Sequence, residues 1–426
     1  MKKLYFLIAF SFFAAFAVAQ SQEQCATMSV FHRHMQDPVL AARYKASQQQ
    51  AAQWRAQNVV GKTSGGAALT IPVVVHVLYK NTTQNISDAQ IYSQIAILNA
   101  DYRRLNADTS NTPVEFDSIA ADIEVEFCLA SLDPDGNPTN GITRTSTSGG
   151  QFFGLFSPIF EDAKYDSTGG HDAWPADQYL NIWVCEMFPG LLGYAQFPAG
   201  LPATDGVVIS YQAFGDMGTI AAPSTLGRTT IHEVGHWMGL YHIWGDDQDC
   251  VTGSDSIYDT PNAEAASSSD CQVGRNSCSN EDPYWGAFDP NDMVQNYMDY
   301  SHDSCMNMFT LGQKARMHSF LNSDPIRLAL FNSPAGCSNA VHAAAPTAND
   351  FMVSPNPSGG RFDVTFLGRW SPAMEVEVLD LSGSVVYRTQ AEASCFSLDL
   401  SGLAAGLYVL RIASEGGVAV KKLMVQ

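Results

Sequence analysis

His232-Glu233-Val234-Gly235-His236-Trp237-Met238-Gly239-Leu240-Tyr241-His242 spells HExxHxxGxxH. On a helix, histidines four apart share a face, so the imidazoles of His232 and His236 can hold one Zn2+. Glu233, next to the first ligand, can reach a water on that metal. Gly239 can end the helix in a left-handed turn that brings His242 back as third ligand and leaves the fourth position to water. Zinc lowers the pKa of such a water to about 7. Glu233, as general base, can then take its proton, direct attack on a carbonyl carbon and pass the proton to the leaving amine. The reaction class is metal-assisted amide hydrolysis. With 10 His in the chain, the full pattern arises by chance about once in a hundred thousand such sequences. The competing readings are a surface adhesion or binding protein that keeps zinc without catalysis, and a metalloenzyme for non-peptide amides. A closed structural site has no use for Glu233.

The extended motif resembles that of the metzincin zinc endopeptidases, and Asn296-Tyr297-Met298-Asp299-Tyr300 strengthens the likeness. Within that clan the chain is similar to the pappalysin family. The likeness is carried by Ile71-Pro72-Val73-Val74-Val75-His76-Val77, Ile86 to Ile91, Gly193-Tyr194-Ala195, Asp259-Thr260-Pro261 and Asn296 to Ser301, between about Leu69 and Leu330. The resemblance implies a twisted mixed sheet with a backing helix and an active-site helix over an irregular lower part. It implies that Met298 sits on a tight turn beneath the metal and that the Tyr300 hydroxyl stabilises the oxyanion. By residue type alone Met298 is a core residue and Tyr300 a structural one. The resemblance further implies that Gly206 to Ser210 is the edge strand on which an extended peptide lies. An acidic group just past the methionine turn, at Asp303, would then favour cutting before Arg or Lys.

Cys250, Cys271, Cys278 and Cys305 allow three connectivities. The resemblance implies Cys250 with Cys278 and Cys271 with Cys305. It also implies a structural Ca2+ held by Asp255, Asp259 and the Thr260 carbonyl. The residues alone read equally as a solvated acidic loop, because no EF-hand spacing is present. In latent metzincins a pro-segment cysteine fills the open zinc position, and Cys25 is the matching thiol. A disulfide from Cys25 to Cys337 or Cys395 is the alternative. Cys128 and Cys185 lie in strand-like runs and read equally as a pair or as buried free thiols.

The elements that must position these residues have their own signals. Ile71 to Tyr79 is an apolar, β-branched run with Pro72 near its start, which reads as a buried strand. His76 within it reads as a hydrogen-bonded core histidine rather than a ligand. Ser87 caps a helix whose Ile91, Ile95, Leu98, Tyr102 and Leu105 form one apolar face. Ile123 to Leu129, Tyr179 to Cys185 and Gly206 to Ser210 are further strands. The fold class is α/β (α+β), a metzincin-type zincin domain followed by a small all-β sandwich.

Along the 426 residues, Lys2, Lys3 and the apolar Leu4 to Val18, ending in Ala17-Val18-Ala19, read as an export signal over 1–19. Residues 20–66 read as a pro-segment ending in the cleavable Lys62-Thr63-Ser64-Gly65-Gly66. The catalytic domain covers 67–335 and a linker 336–350. Residues 351–426 resemble the sorting domain of type IX secretion substrates. That implies export through the periplasm of a Gram-negative bacterium, with the protein released or attached to the cell surface. A net charge of −20 would repel phosphate backbones and anionic membranes, so nucleic acid is not an expected partner. No later segment is long enough to span a bilayer. The function read from these features is a secreted zinc endopeptidase, made as a latent zymogen, acting on proteins or peptides.

Overall fold

The computed structural model describes residues 24–61, 68–148, 161–246, 249–250, 254–267, 271–279, 284–286, 288–337, 351–366, 374–380, 383–391, 395–414 and 417–426. The export signal, the Lys62 to Gly66 stretch and linker residues 338–350 lie outside them. No helix among the described residues is long and apolar enough to cross a membrane.

The first elements are α1 (Thr27–His34), α2 (Pro38–Gln57), β1 (Leu69–Tyr79), α3 (Asp88–Tyr102), α4 (Val114–Asp117), β2 (Val125–Leu129) and β3 (Ile142–Ser146). Then come β4 (Leu180–Cys185), β5 (Gly193–Ala195), β6 (Val207–Ser210), α5 (Arg228–Trp237), α6 (Leu311–Ser323) and α7 (Pro325–Ala329). The strands form one sheet in the order β2-β1-β4-β6-β5, with β3 also on β1. β1 pairs in parallel with β2 over Leu69 to Val73 and with β3 over Val75 to Tyr79, so one long strand is flanked by two short ones end to end. Being paired on both sides, β1 buries Ile71 to Leu78 completely or nearly so, which is why it reads as a continuous apolar run.

α3 covers one face of the sheet. Ser87 Oγ accepts from the Gln90 N–H at its start, and Ile91, Ile95, Leu98 and Tyr102 are fully buried. Leu105 departs from the expected face. The helix stops at Tyr102, Arg104 takes φ 52°, and Leu105 is 74% exposed. The expected edge strand is also corrected. β6 is interior, paired in parallel with β4 and antiparallel with β5. The edge is the antiparallel β5, which pairs with β6 on the side away from β4.

Cys128 is bonded to Cys337 with Cα atoms 5.4 Å apart, and Cys185 is a buried free thiol. The chain after α7 runs back beside the end of β2, where the Ser131 and Leu132 N–H groups donate to the Ala335 carbonyl. Cys337 is thereby tied to the main body and is not Cys25's partner. Cys250–Cys278 and Cys271–Cys305 are the other disulfides among the described residues, stapling a stretch with little regular structure.

The C-terminal module has β7 (Phe351–Ser354), β8 (Arg361–Phe366), β9 (Glu375–Leu379), β10 (Val385–Gln390), β11 (Cys395–Asp399), β12 (Gly406–Ser414) and β13 (Gly417–Val425). They form sheets β10-β9-β12-β13 and β11-β8-β7. Phe351, Phe362, Val364 and Leu398 of one sheet share a core with Val376, Val378, Leu410, Ile412 and Leu423 of the other, the arrangement of a sandwich.

Candidate metal centre and active site

Every residue of α5 is buried. The helix starts at Gly227, whose φ of 68° an L side chain would strain. Arg228 anchors this end. Its guanidinium donates to Asp101, Asp108 and the Asp303 carbonyl, so three separate loops and helices converge on the first turn.

His232 Nδ1 donates to the Tyr297 carbonyl at 2.8 Å, His236 Nδ1 to the Leu240 carbonyl at 2.8 Å, and His242 Nδ1 to Asp246 Oδ1 at 2.6 Å. A carbonyl or carboxylate can only accept, so each Nδ1 carries the proton and each Nε2 presents a lone pair. The Nε2 atoms lie 3.1, 3.1 and 3.2 Å from one another. Burial holds His232 down to about 3 and His236 well below the ordinary histidine value, which disfavours a second proton on either ring. Three lone pairs facing one point repel unless a cation sits there. Tetrahedral zinc with Zn–N near 2.0–2.1 Å sets N···N at roughly 3.3 Å, close to the spacing observed. Together with Cys25 Sγ the donor atoms lie within 4.8 Å of one another. The residues fit zinc as a donor set of three imidazole nitrogens and one sulfur.

Gly239 has φ 95°, and a Cβ there would stand 2.3 Å from the Phe320 ring. Only glycine lets the chain reverse over α6 and return His242 to the site. The His242 ring stacks on Trp244 at 4.3 Å. Met298 lies under the helix: a Cβ on Gly235 would stand 2.5 Å from its Sδ. Its turn is held by the Asn296 side chain, which accepts from the Met298 N–H and pairs with Gln313 on α6.

Glu233 lines the same cleft as His232. Its Oε2 accepts from Thr27 Oγ1 at 2.9 Å and from Cys25 Sγ at 3.4 Å, and its buried Oε1 has no hydrogen-bond partner among the described residues. Burial pushes its carboxyl up to about 8. The Tyr300 ring packs on His232 and His242, and its hydroxyl donates to the Cys25 carbonyl at 3.3 Å. Burial, then the charge of Glu233, pushes the Cys25 thiol well up, so a thiolate there needs a cation beside it.

The segment before α1 lies on edge strand β5 in the parallel sense. Ala26 N–H donates to the Gly193 carbonyl at 3.0 Å, and Leu192 N–H to the Gln24 carbonyl at 2.8 Å. Further on, Phe31 and Tyr44 pack on Phe197, which abuts His236. α2 lies along α6, where Arg55 donates to Ser319 and Arg316 to Gln48.

Asp303 lines the cleft with Thr229, His232, Glu233 and Tyr300. Its Oδ2 accepts from the Leu226 and Arg228 N–H groups, and burial raises its carboxyl. Asp255, Asp259 and Thr260 are buried elsewhere. Asp255 accepts from the Thr260 hydroxyl and the Ile257 N–H. Asp259 accepts from the Thr310 hydroxyl and the Gly312 N–H at the start of α6. The sequence reads Asp246 only as one oxygen donor of an acidic stretch, and its position four residues after His242 is the signal for its role as that ring's partner; Thr27 carries no such signal, since its partners are far away along the chain.

The sequence matches the peptidase M43 family, described as pregnancy-associated plasma protein-A, over residues 163–322, and the secretion system C-terminal sorting domain over 352–426. An extracellular metalloprotease of Arthroderma gypseum is 34% identical over 256 residues, covering 58% of this chain and 71% of that protein. A Tannerella forsythia promirolysin mutant is 43% identical with a TM-score of 0.61, over 72% of this chain and 97% of that one. Mature mirolysin from the same organism, in complex with a cleaved peptide, is 48% identical with a TM-score of 0.56, over 62% and 96%.

Proposed function

The chain belongs to the M43 family of metalloproteases, and from that premise we propose how its residues carry out and restrain peptide hydrolysis. It is an extracellular metalloendopeptidase, made as a zymogen and exported by type IX secretion through its C-terminal sorting domain. His232, His236 and His242 hold the catalytic zinc. The metal supplies Lewis acidity toward the scissile carbonyl and activates the attacking water. Glu233 holds and moves the proton, accepting it at the carboxylate and passing it to the leaving amine. Tyr300, beside His232 and His242, donates its hydroxyl to the developing oxyanion. Met298 sets the floor of the site under Gly235. The extended substrate pairs with the outward N–H and C=O groups of Gly193 and Ala195 on β5.

The observation that carries this reading is the convergence of three imidazole Nε2 atoms beside the buried Glu233 carboxyl, next to the outermost sheet strand. Residues 20–66 form the pro-segment, with Cys25 filling the zinc's fourth position until the chain is cut before the catalytic domain of 67–335. Asp303 faces a basic side chain just after the cut bond. Asp255, Asp259 and the Thr260 carbonyl hold a structural Ca2+. Supporting it, both carboxyls are buried and raised, and no Lys or Arg among the described residues is hydrogen-bonded to either.

The test is to incubate the mature enzyme with a mixed peptide library, beside Glu233→Ala, and map the products by mass spectrometry. Zinc-dependent cuts before Arg or Lys, absent with Glu233→Ala, are expected. Cuts without that preference remove the role of Asp303. No cuts from folded, zinc-loaded protein would favour the non-catalytic binding protein.

A further inference from the structure

Thr27 opens α1 and is fully buried. A threonine hydroxyl has one proton to give and lone pairs to accept with. Here the proton goes to Glu233 Oε2 at 2.9 Å, and the oxygen accepts from the Ala195 N–H at 2.8 Å. Neither partner is incidental. Glu233 is the carboxylate that must take a proton from the attacking water. The Ala195 N–H belongs to the outward side of edge strand β5, since Tyr194 is the residue paired inward with Val208. The same threonine also offers its own N–H to Cys25 Sγ at 3.4 Å.

We infer that Thr27 is a second latch, whose hydroxyl silences the general base and fills a peptide-binding donor of the edge strand at once. The inference rests on the zymogen reading of Cys25 and adds to it. Without the Thr27 hydroxyl, Glu233 would keep only the weak 3.4 Å contact from the Cys25 thiol, and the Ala195 N–H would be open to a competing peptide although Gln24 and Ala26 still pair with β5. With Thr27 in place, the pro-segment must break bonds at the metal, the base and the strand together before substrate enters. The bond to Glu233, at 2.9 Å, is fully buried, so losing the hydroxyl leaves the carboxyl without its closest partner.

The experiment uses the full proenzyme with Thr27→Val, which keeps shape and loses the hydroxyl, and Thr27→Ser, which keeps the hydroxyl. Two quantities are read: the lag before self-processing on gels, and the rate at which Cys25 is alkylated, mapped by mass spectrometry. Thr27→Val should shorten the lag and speed alkylation by about tenfold. Thr27→Ser should stay within about twofold of the parent, and the mature enzymes should turn over identically. In a Glu233→Ala proenzyme, which cannot process itself, Thr27→Val should speed alkylation by a smaller factor. Parent-like behaviour of Thr27→Val, or an equal factor in the Glu233→Ala background, overturns the inference. Cys25→Ala separates the two ideas. If it shortens the lag while Thr27→Val does not, the thiol latch stands and the hydroxyl latch falls. If neither shortens it, the zymogen reading of Cys25 falls with both.

Discussion

His76 in the sheet and His232 and His236 on the active-site helix are all buried and held neutral, yet their tautomers are opposite. Asn181 Oδ1 already accepts from the Trp174 N–H and also takes the His76 Nε2 proton at 3.0 Å. The His76 Nδ1 therefore accepts from Thr143 Oγ1 at 2.8 Å. Both ring nitrogens of His76 are satisfied within the protein. On α5 and after it, backbone carbonyls and Asp246 take the Nδ1 protons and leave three Nε2 lone pairs aimed at one another. A buried histidine becomes a ligand when one nitrogen is left without a proton donor; burial alone does not make it one.

The sharpest way to break this comparison is substitution in the two regions. His236→Ala should abolish peptide cleavage and zinc binding together, measured by turnover and by metal content. His76→Gln, whose amide can serve both neighbours, should leave zinc content and turnover unchanged. Glu233→Ala should lower turnover by about 10²–10⁴-fold with zinc retained, which separates proton transfer from metal holding. Gly239→Ala forces a Cβ into the Phe320 ring at a φ of 95°. It should cost about 1–3 kcal/mol of stability in a denaturant titration, and weaken zinc binding by misplacing His242.

The smallest effect concerns pH. The His76 imidazole has a folded-state pKa of about 3 against an ordinary 6.5. Its contribution to stability is complete above pH 6.5 and is lost as the pH falls from 6.5 toward 3. The thermal midpoint of His76→Gln, followed by calorimetry from pH 7 to 4.5, should fall less steeply than that of the parent. Equal slopes would mean that His76 is not held neutral by the fold.

What was legible in the sequence follows from the range of each signal. The zinc helix was legible because ligands four apart on a helix, the glycine stop and the third histidine all lie within eleven consecutive residues. Ser87 and the first four apolar positions of α3 were legible for the same reason. Leu105 leaves the apolar face its spacing implies because Arg104 turns the chain at positive φ with no glycine to announce it. β5 was passed over as the edge because Gly193-Tyr194-Ala195 is too short for alternation to show, and its strand character comes from pairing with β6. The Cys128–Cys337 bond joins residues 209 apart, and Thr27 meets Glu233 across 206 positions. Contacts of that range depend on the assembled fold.

The most direct test of the account is zinc X-ray absorption on the proenzyme and on the mature enzyme. Three nitrogen ligands are expected in both, with one sulfur at about 2.3 Å in the proenzyme only, lost on removal of the pro-segment or in Cys25→Ala. A proenzyme spectrum with no sulfur, or a mature one with fewer than three imidazoles, would contradict it.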